Sequence, residues 1–219
     1  MKKIMLNIMR IPVAKEGSIF LIVSVLLAAV SFSFAWYVVG VLLLTLFVFF
    51  VFFFRVPERT IIDDKDLVFS AADGKIVQIK RVEENEFLKT PATRISVFMS
   101  VFNVHVNLAP VSGRVAYLKH HQGKYLNALN EKASEVNEAC HIGIESDSCR
   151  VAVKQIAGLV ARRIVNRIKP GDELSTGTKL GIIMFGSRVD IFLDDNFRVI
   201  VKEGQTARAG ITVIGEKIR

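Results

Sequence analysis

The sequence predicts a mainly β (α+β) protein, in which a compact β-sandwich or barrel-like domain with a short helix follows an N-terminal hydrophobic helical hairpin. Two observations predict this class. Residues 17–54 form a run of 38 residues without a charge. After Arg55, short segments rich in Val, Ile and Phe alternate with turns that contain Gly, Asp, Asn or Pro, a pattern typical of β-strands.

The uncharged run is too long for one membrane-spanning helix. A helix of 38 residues would be about 57 Å long, whereas the hydrocarbon core of a bilayer is about 30 Å thick. We therefore expect two short spans or a re-entrant hairpin, with the break near residues 31–34 or at Trp36-Tyr37, whose rings suit an interface. The competing interpretation is a cleaved signal peptide, but its apolar region should be only about 7–15 residues long.

Positive charge on both sides of the run predicts that both ends of the hairpin lie in the cytoplasm. The flanking basic residues are Lys2, Lys3, Arg10, Lys15, Arg55 and Arg59. Residues 1–55 carry five basic residues and one acidic residue (+4), and residues 56–219 carry 24 and 20 (+4), which together give the net charge of +8. This distribution suits an anionic leaflet. No nucleic-acid partner is expected, because no nucleic-acid motif accompanies the charge.

Three parts follow from this pattern: a basic N-terminal segment (1–16), a membrane-anchoring hairpin (17–55) and a globular domain (56–219). Pro57 disfavours helix at Val56 and marks the exit from the hairpin. Strands are predicted at 67–70, 74–81, 94–108, 113–119, 141–146, 149–156, 179–183, 188–193 and 197–201, and a short helix at 125–137. Three segments, 72–77, 111–115 and 169–181, have the rhythm of lipoyl-like strand-turn-strand units.

The cysteines and most of the histidines do not indicate a metal site. Cys140 and Cys149 are the two cysteines, and neither belongs to a CxxC pair, so a reduced, cytoplasm-facing domain is the simplest interpretation. We predict that His120, His121 and His141 lie on the surface or in loops, because they have no partners at metal-ligand spacing.

A serine, a histidine and an aspartate in separate segments could together form an activated hydroxyl group. These are Ser187, which follows Gly186, then His105 and Asp73. Each also has an ordinary explanation: Gly-Ser steps occur by chance, and Asp-Gly is a common turn pair. His105 is less ordinary, since alternation along residues 101–108 would place it on one strand face between two asparagines.

Five segments, taken in order and spacing, give the chain a resemblance to a known family. They are residues 53–59 (FFRVPER), 70–74 (SAADG), 98–107 (FMSVFNVHVN), 127–138 (NALNEKASEVNE) and 185–187 (FGS). With these segments the chain resembles the phosphatidylserine decarboxylases, in their short prokaryotic (archaeal-type) form. The resemblance spans most of the chain.

The resemblance implies a proenzyme that cuts itself between Gly186 and Ser187. Chains 1–186 and 187–219 would remain together as a heterodimer, and Ser187 would become a covalent pyruvoyl group, so that neither pyridoxal phosphate nor a metal is needed. His105 would serve as the base for self-cleavage and Asp73 would orient it. Phosphatidylserine would form a Schiff base with the ketone and lose CO2 to give phosphatidylethanolamine. The enzyme would lie on the cell (inner) membrane, facing the cytoplasm, and a homo-oligomer is left open.

Two positions depart from the family pattern. Phe102 stands where longer members have a second histidine, three residues before His105, so the proton donor for decarboxylation is left open between His105 and water. Ala139 follows Asn137-Glu138 where many short forms have an arginine expected to contact phosphate. Arg188 could replace that contact, although a solvated charge is the favoured interpretation.

Two other classes compete with the decarboxylase. A membrane-tethered, lipoyl-like adaptor or binding module without catalysis would explain the turn rhythm, but the chain has no Met-Lys-Met carrier site and no long helical hairpin in its globular part. A serine hydrolase would need a G-x-S-x-G elbow, and here Gly186-Ser187 is followed by Arg188-Val189-Asp190.

Overall fold

The computed structural model describes residues 12–130, 133–158, 163–184 and 186–218. Lys2, Lys3 and Arg10 of the predicted basic segment, and Phe185 of the motif FGS, lie outside the described residues. The chain divides into two compact units, Met1–Glu58 and Arg59–Arg219.

The first unit contains the predicted helical hairpin. A single 3₁₀ turn at Lys15–Gly17 leads into helix α1 (Ser18–Ser33), and helix α2 (Tyr37–Phe53) runs back after a short turn in which Ala35 has a φ of 57°. The break therefore falls where the sequence places it. Lys15–Ser33 is long and apolar enough to cross a membrane by length and composition, whereas α2 is apolar and uncharged but shorter. This composition supports membrane association.

Small side chains lie between the two helices of the hairpin, and large apolar ones face outwards. Gly40 packs against the ring of Phe32, and Ala28, Ser24 and Ser31 are buried. The two serine hydroxyls donate to carbonyls of their own helix, which satisfies them without water. Most Leu, Val and Ile side chains of the hairpin are exposed, as expected for helices whose solvent is apolar.

The second unit is mainly β, which confirms the predicted fold class. Its strands are β1 (Leu67–Phe69), β2 (Gly74–Glu84), β3 (Thr90–Met99), β4 (Val106–Leu108), β5 (Gly113–His121), β6 (Ala139–Glu145), β7 (Arg150–Ala157), β8 (Ile164–Asn166), β9 (Glu173–Leu174), β10 (Lys179–Ile183), β11 (Ser187–Leu193), β12 (Phe197–Val199), β13 (Thr206–Ala207) and β14 (Val213–Lys217). One short helix, α3 (Ala133–Val136), interrupts them.

The strands form one large curled sheet and two small ones. The large antiparallel sheet has the order β13-β2-β3-β11-β7-β6-β5-β9, and the small sheets have the orders β1-β14-β12 and β4-β10-β8. One main core cluster of Val, Ile, Leu and Ala side chains packs inside this half-barrel. Strand β11 lies at its centre between β3 and β7, and all seven of its residues are buried.

Two predicted elements are shorter in the structure because local side-chain hydrogen bonds replace regular ones. The predicted strand 94–108 is interrupted after Met99, where Asn103 Oδ1 accepts from the backbone N–H and the hydroxyl of Ser100 and closes a turn. The predicted helix 125–137 is helical only at α3 among its described residues, since the Asn137 side chain bonds both backbone groups of Leu126 and holds that segment open.

His141 was expected on the surface, and this prediction is wrong. It lies on β6 with 2% of its surface exposed, and its ring is edge-on to Tyr117 and close to Phe192. Burial lowers the pKa of His141 below its ordinary value, although the neighbouring Glu84 and Glu86 oppose that shift. Burial raises the pKa of Glu86, but hydrogen bonds from Tyr117, His141 and His121 outweigh it and bring the value to about 2.

The buried His141 should make folding stability fall in mild acid. The unfolded chain takes up the proton more readily than the folded one, so stability is lost as the pH drops below about 6.5, by on the order of 1 kcal/mol at pH 5.5. Glu86 stays ionised in this window. We expect His141→Phe to flatten the decrease in denaturant midpoint between pH 7.5 and 5.5, measured in detergent micelles. An unchanged pH dependence in the variant would contradict this assignment.

Candidate active site

Ser187 begins the central strand and lies in a fully enclosed position. Its backbone pairs with Met99 of β3 and with Ala157 of β7. Its side chain is 0% exposed, and Oγ lies 3.4 Å from His105 Nδ1 and 3.4 Å from Met99 Sδ. The structure therefore brings together two of the residues that the sequence proposed, although they are 82 positions apart. The 3.4 Å distance is long for a hydrogen bond, as is common before a reacting complex tightens.

The ring of His105 is oriented by a backbone carbonyl. Its Nε2 lies 3.0 Å from the carbonyl oxygen of Ser100. A carbonyl can only accept, so Nε2 carries the proton of the neutral ring and Nδ1 presents its lone pair to Ser187 Oγ. The turn from Ser100 to Asn103 holds this carbonyl in place. The sequence analysis missed Ser100 as an orienting group, because a main-chain atom leaves no signal in side-chain chemistry.

Gly186 has the backbone freedom that a cleavage position needs. Its φ is +69°, in the left-handed region that favours glycine, and a Cβ built on it would meet no atom within 4 Å. The carbonyl oxygen of Gly186 instead packs tightly against Gly158, where a Cβ would approach that oxygen to 2.1 Å. Gly158 is a second residue that the sequence analysis missed, since a lone glycine after a strand looks like an ordinary turn.

Asp73 lies at the start of β2, which neighbours β3, but its hydrogen bonds go elsewhere. Its carboxylate pairs with the Arg59 guanidinium through two bonds of 2.6 and 2.8 Å and accepts the N–H of Ala209 at 2.8 Å. Within the part of the chain that the structure describes, Asp73 is not bonded to His105. The orienting role of Asp73 stays a prediction, and any such effect would act through the segment that precedes β2.

A layer of buried amides supports the site from the adjoining strands. Gln155 Nε2 donates to Asn107 Oδ1 at 2.7 Å, and Asn107 Nδ2 contacts Met99 Sδ at 3.6 Å. Both amides are 0% exposed. Since Met99 Sδ also contacts Ser187 Oγ, these amides support the packing around the serine through Met99.

Arg188 is not a solvated charge, so the favoured interpretation of this residue is wrong. Its side chain is 1% exposed and heads the largest fully buried side chains of the described chain. It points to the face of β11 opposite Ser187, because neighbours on a strand alternate. There its Nε donates to Asp190 Oδ1 at 2.6 Å and its Nη2 donates to Ser96 Oγ at 2.9 Å.

The two departures from the family pattern lie in different environments. Phe102 is 70% exposed in the turn that leads to His105, and Ala139 is buried at the start of β6.

Residues 12–130, 133–158, 163–184 and 186–218 contain no group of three or more His, Cys, Asp or Glu side chains placed to hold a metal ion. The thiol of Cys140 is not a reactive nucleophile, because burial raises its pKa to about 11.

The arrangement is suited to one kind of chemistry. In its neutral form the imidazole of His105 presents Nδ1 to a serine hydroxyl, and the peptide carbonyl before that serine belongs to a glycine in the left-handed conformation. A buried hydroxyl cannot reach an external acyl substrate without movement of the core, whereas it lies next to its own preceding peptide bond. The geometry therefore favours a reaction within the chain over hydrolysis of an outside ester.

Comparison with known proteins agrees with the resemblance. The family model described as phosphatidylserine decarboxylase matches residues 46–215. A phosphatidylserine decarboxylase proenzyme of Carboxydothermus hydrogenoformans is 49% identical over 177 residues, which cover 80% of this chain and 83% of that relative. The proenzyme of Desulfotalea psychrophila is 39% identical over 210 residues, covering 95% and 98% of the two chains, and that of Magnetococcus marinus is 42% identical over 205 residues, covering 93% and 94%.

These matches extend over 83% to 98% of the length of the three relatives. They do not favour the alternative of a membrane-tethered, lipoyl-like adaptor without catalysis. The chain is an enzyme, a decarboxylase made as a proenzyme, and it belongs to the phosphatidylserine decarboxylase family.

Proposed function

We propose that this chain cuts itself between Gly186 and Ser187, converts Ser187 into a pyruvoyl group, and then decarboxylates phosphatidylserine to phosphatidylethanolamine. The observation that carries the proposal is the approach of Ser187 Oγ to the unprotonated Nδ1 of His105, directly after a glycine with φ +69°. The family membership supplies the reaction class and the substrate.

Self-cleavage begins when His105 takes the hydroxyl proton and Ser187 Oγ attacks the carbonyl carbon of Gly186. The acyl group passes from nitrogen to oxygen, and the peptide bond becomes an ester. Loss of the α-proton of residue 187 expels the Gly186 carboxylate and leaves dehydroalanine. Tautomerisation and addition of water release ammonia and leave a ketone at the new terminus. Gly186 lacks the Cβ that would crowd the attack.

The residues present fit a pyruvoyl group at position 187. Ser187 is the only covalent precursor required, and its side-chain position is bordered by Met99 and His105 in a site closed to water. A ketone at position 187 would be held by the pairing of β11 with β3 and β7, and it would supply a carbonyl able to take up the amine of the serine headgroup and an electron sink for the pair left by CO2. Phe102 cannot donate a proton, so we assign that donation to His105, the titratable side chain at this position.

The two fragments are held together by the central sheet. Cleavage would leave β11 in the small fragment, paired along both edges with β3 and β7 of the large one. We propose segments 1–16 and 17–55 as the basic and hairpin parts of an anchor in the cell (inner) membrane, with the catalytic domain 56–219 in the cytoplasm. The basic flanks of the hairpin support attraction to anionic lipid.

Replacing the cleavage serine should leave the chain whole. We expect wild-type protein to migrate as fragments of 186 and 33 residues and Ser187→Ala to remain one chain, because no hydroxyl is left to attack Gly186. Intact-mass spectrometry of the small fragment should show a keto terminus in place of serine. Ser146→Ala, in a turn between β6 and β7, is the matched control and should be cut normally. Active wild-type protein with an unbroken 186–187 bond would refute the proposal.

Replacing His105, the proposed base, should slow cleavage more than replacing Asp73. We expect His105→Ala to reduce the rate by at least about 100-fold, within the range typical of general-base catalysis. Asp73→Asn should slow cleavage less, and Arg59→Met should reproduce its effect if Asp73 acts through the Arg59 pair. Rates can be followed by gel after expression at low temperature. Normal processing of His105→Ala would remove its role as base.

Adding a methyl group at Gly158 should displace the carbonyl that is attacked. The built Cβ lies 2.1 Å from the Gly186 oxygen, so Gly158→Ala must move that peptide and should reduce cleavage by at least about tenfold. Gly204→Ala is the control, because a Cβ at Gly204 would meet no atom within 4 Å; its positive φ (85°) makes it a strict control, since any general strain from adding a methyl group is larger there. Equal cleavage rates in the two variants would show that contact with Gly158 does not matter.

A further inference from the structure

Arg188 is an unusual residue to bury beside a bond that is to be cut. Its guanidinium bonds both carboxylate oxygens of Asp190, with Nε at 2.6 Å from Oδ1 and Nη2 at 3.2 Å from Oδ2. Nη2 also donates to Ser96 Oγ, and Asp190 Oδ2 accepts the hydroxyl of Ser134 at 2.6 Å. Arginine, aspartate and both serines are all buried.

This buried group costs desolvation energy that apolar side chains would not. Replacing buried ion pairs by apolar residues of similar volume is often neutral or even stabilising. The remaining residues of β11 other than Ser187 are Val, Ile, Phe and Leu, so an apolar alternative at 188 and 190 would fit the strand. Stability alone therefore does not explain the charges at positions 188 and 190.

The hydrogen bonds of this group join the two fragments. Arg188 and Asp190 belong to the small fragment, whereas Ser96 on β3 and Ser134 on α3 belong to the large one. Both serines therefore bind the small fragment within three residues of its new terminus. They do so from two separate elements, a strand of the sheet and the helix that covers it.

Cutting the chain changes what holds position 187. Before cleavage the peptide bond to Gly186 restrains it from one side, and afterwards it becomes a chain end, where strands usually fray. The backbone hydrogen bonds of position 187 to Met99 and Ala157 continue after the cut. To react, however, a ketone there must stay at a fixed short distance from His105. A displacement of about 1 Å can reduce a rate by about 100-fold.

We propose that Arg188 and Asp190 are positioning residues that hold the pyruvoyl end of the small fragment beside His105 after cleavage, with Ser96 and Ser134 as their anchors on the large fragment. This rests on the proposed function. Before the cut, the peptide bond between Gly186 and Ser187 holds position 187 beside His105. Loss of the Arg188–Asp190 pair therefore reduces decarboxylation much more than it reduces self-cleavage. The effect falls on kcat, because the group lies on the face of β11 away from the ketone and does not contact substrate.

The test is a double variant, Arg188→Met with Asp190→Leu, which removes both charges together. Arg94, whose Nε lies 4.0 Å from Asp190 Oδ2, keeps its hydrogen bond to Gln78 at 2.7 Å in this variant. Cleavage is followed by gel, the keto group by titration with a hydrazine reagent, and kcat and KM with phosphatidylserine in mixed micelles. We expect complete cleavage, a normal keto content, and a kcat lowered at least about tenfold with KM within about twofold. Arg188→Lys should recover part of the loss, since an ammonium can still reach Asp190.

A matched control is Arg81→Met with Asp195→Leu, which removes an exposed ion pair that also joins the two fragments but lies at the far end of β11. This control should leave kcat unchanged. If the double variant at 188 and 190 does not fold, Ser96→Ala and Ser134→Ala remove the anchors singly, and each should lower kcat severalfold with normal keto content.

A normal kcat in well-folded variants with full keto content would overturn the positioning role of Arg188 and Asp190 and leave the proposed function intact. A kcat lowered only in proportion to the keto content would also overturn it, because the defect would then lie in cleavage. Wild-type protein without any keto group would instead refute the proposed function.

Discussion

Strand β11 lies between β3 and β7 and is buried along its whole length, and this position determines the chemistry of the molecule. Its first residue, Ser187, cannot turn towards solvent because both edges of its backbone are paired. The hydroxyl is therefore confined between Met99 and the Nδ1 lone pair of His105. Confinement lowers the entropic cost of the proposed attack on the neighbouring peptide. This lower cost is the main advantage of a reaction within one chain.

The same strand would keep the two fragments of the proposed cleavage together as one enzyme. Two faces of β11 have different tasks, since alternate side chains point to opposite sides of the sheet. Ser187 faces His105, on the side of the sheet where Val189, Ile191 and Leu193 enter the main core, and Arg188 and Asp190 face Ser96 and the short helix α3. With the proposed cut at Gly186-Ser187, antiparallel pairing on both edges would hold the backbone of β11, and the polar face would supply side-chain contacts between the two fragments.

Several parts of this arrangement could be read from the sequence, and others could not. The hairpin break and most strands follow from periodicity and turn residues, which are local properties. His105 and Ser187 were identified as partners because their residue types suit each other. The orienting group of His105 is a backbone carbonyl of Ser100, and the partner of Asp73 is Arg59. Neither contact has a signature in residue type or spacing, because both depend on how distant segments pack.

The sequence by itself determined the apolar hairpin, the mainly β domain and the family, since charge, alternation and ordered motifs survive without coordinates. Only the tertiary structure decided which polar groups are buried. Arg188 looks like any surface arginine in sequence, and His141 like a loop histidine, yet both are enclosed by strands far away in the chain. Burial is a property of the three-dimensional neighbourhood. It shifts the pKa of ordinary polar side chains and allows them to serve as a base or an anchor.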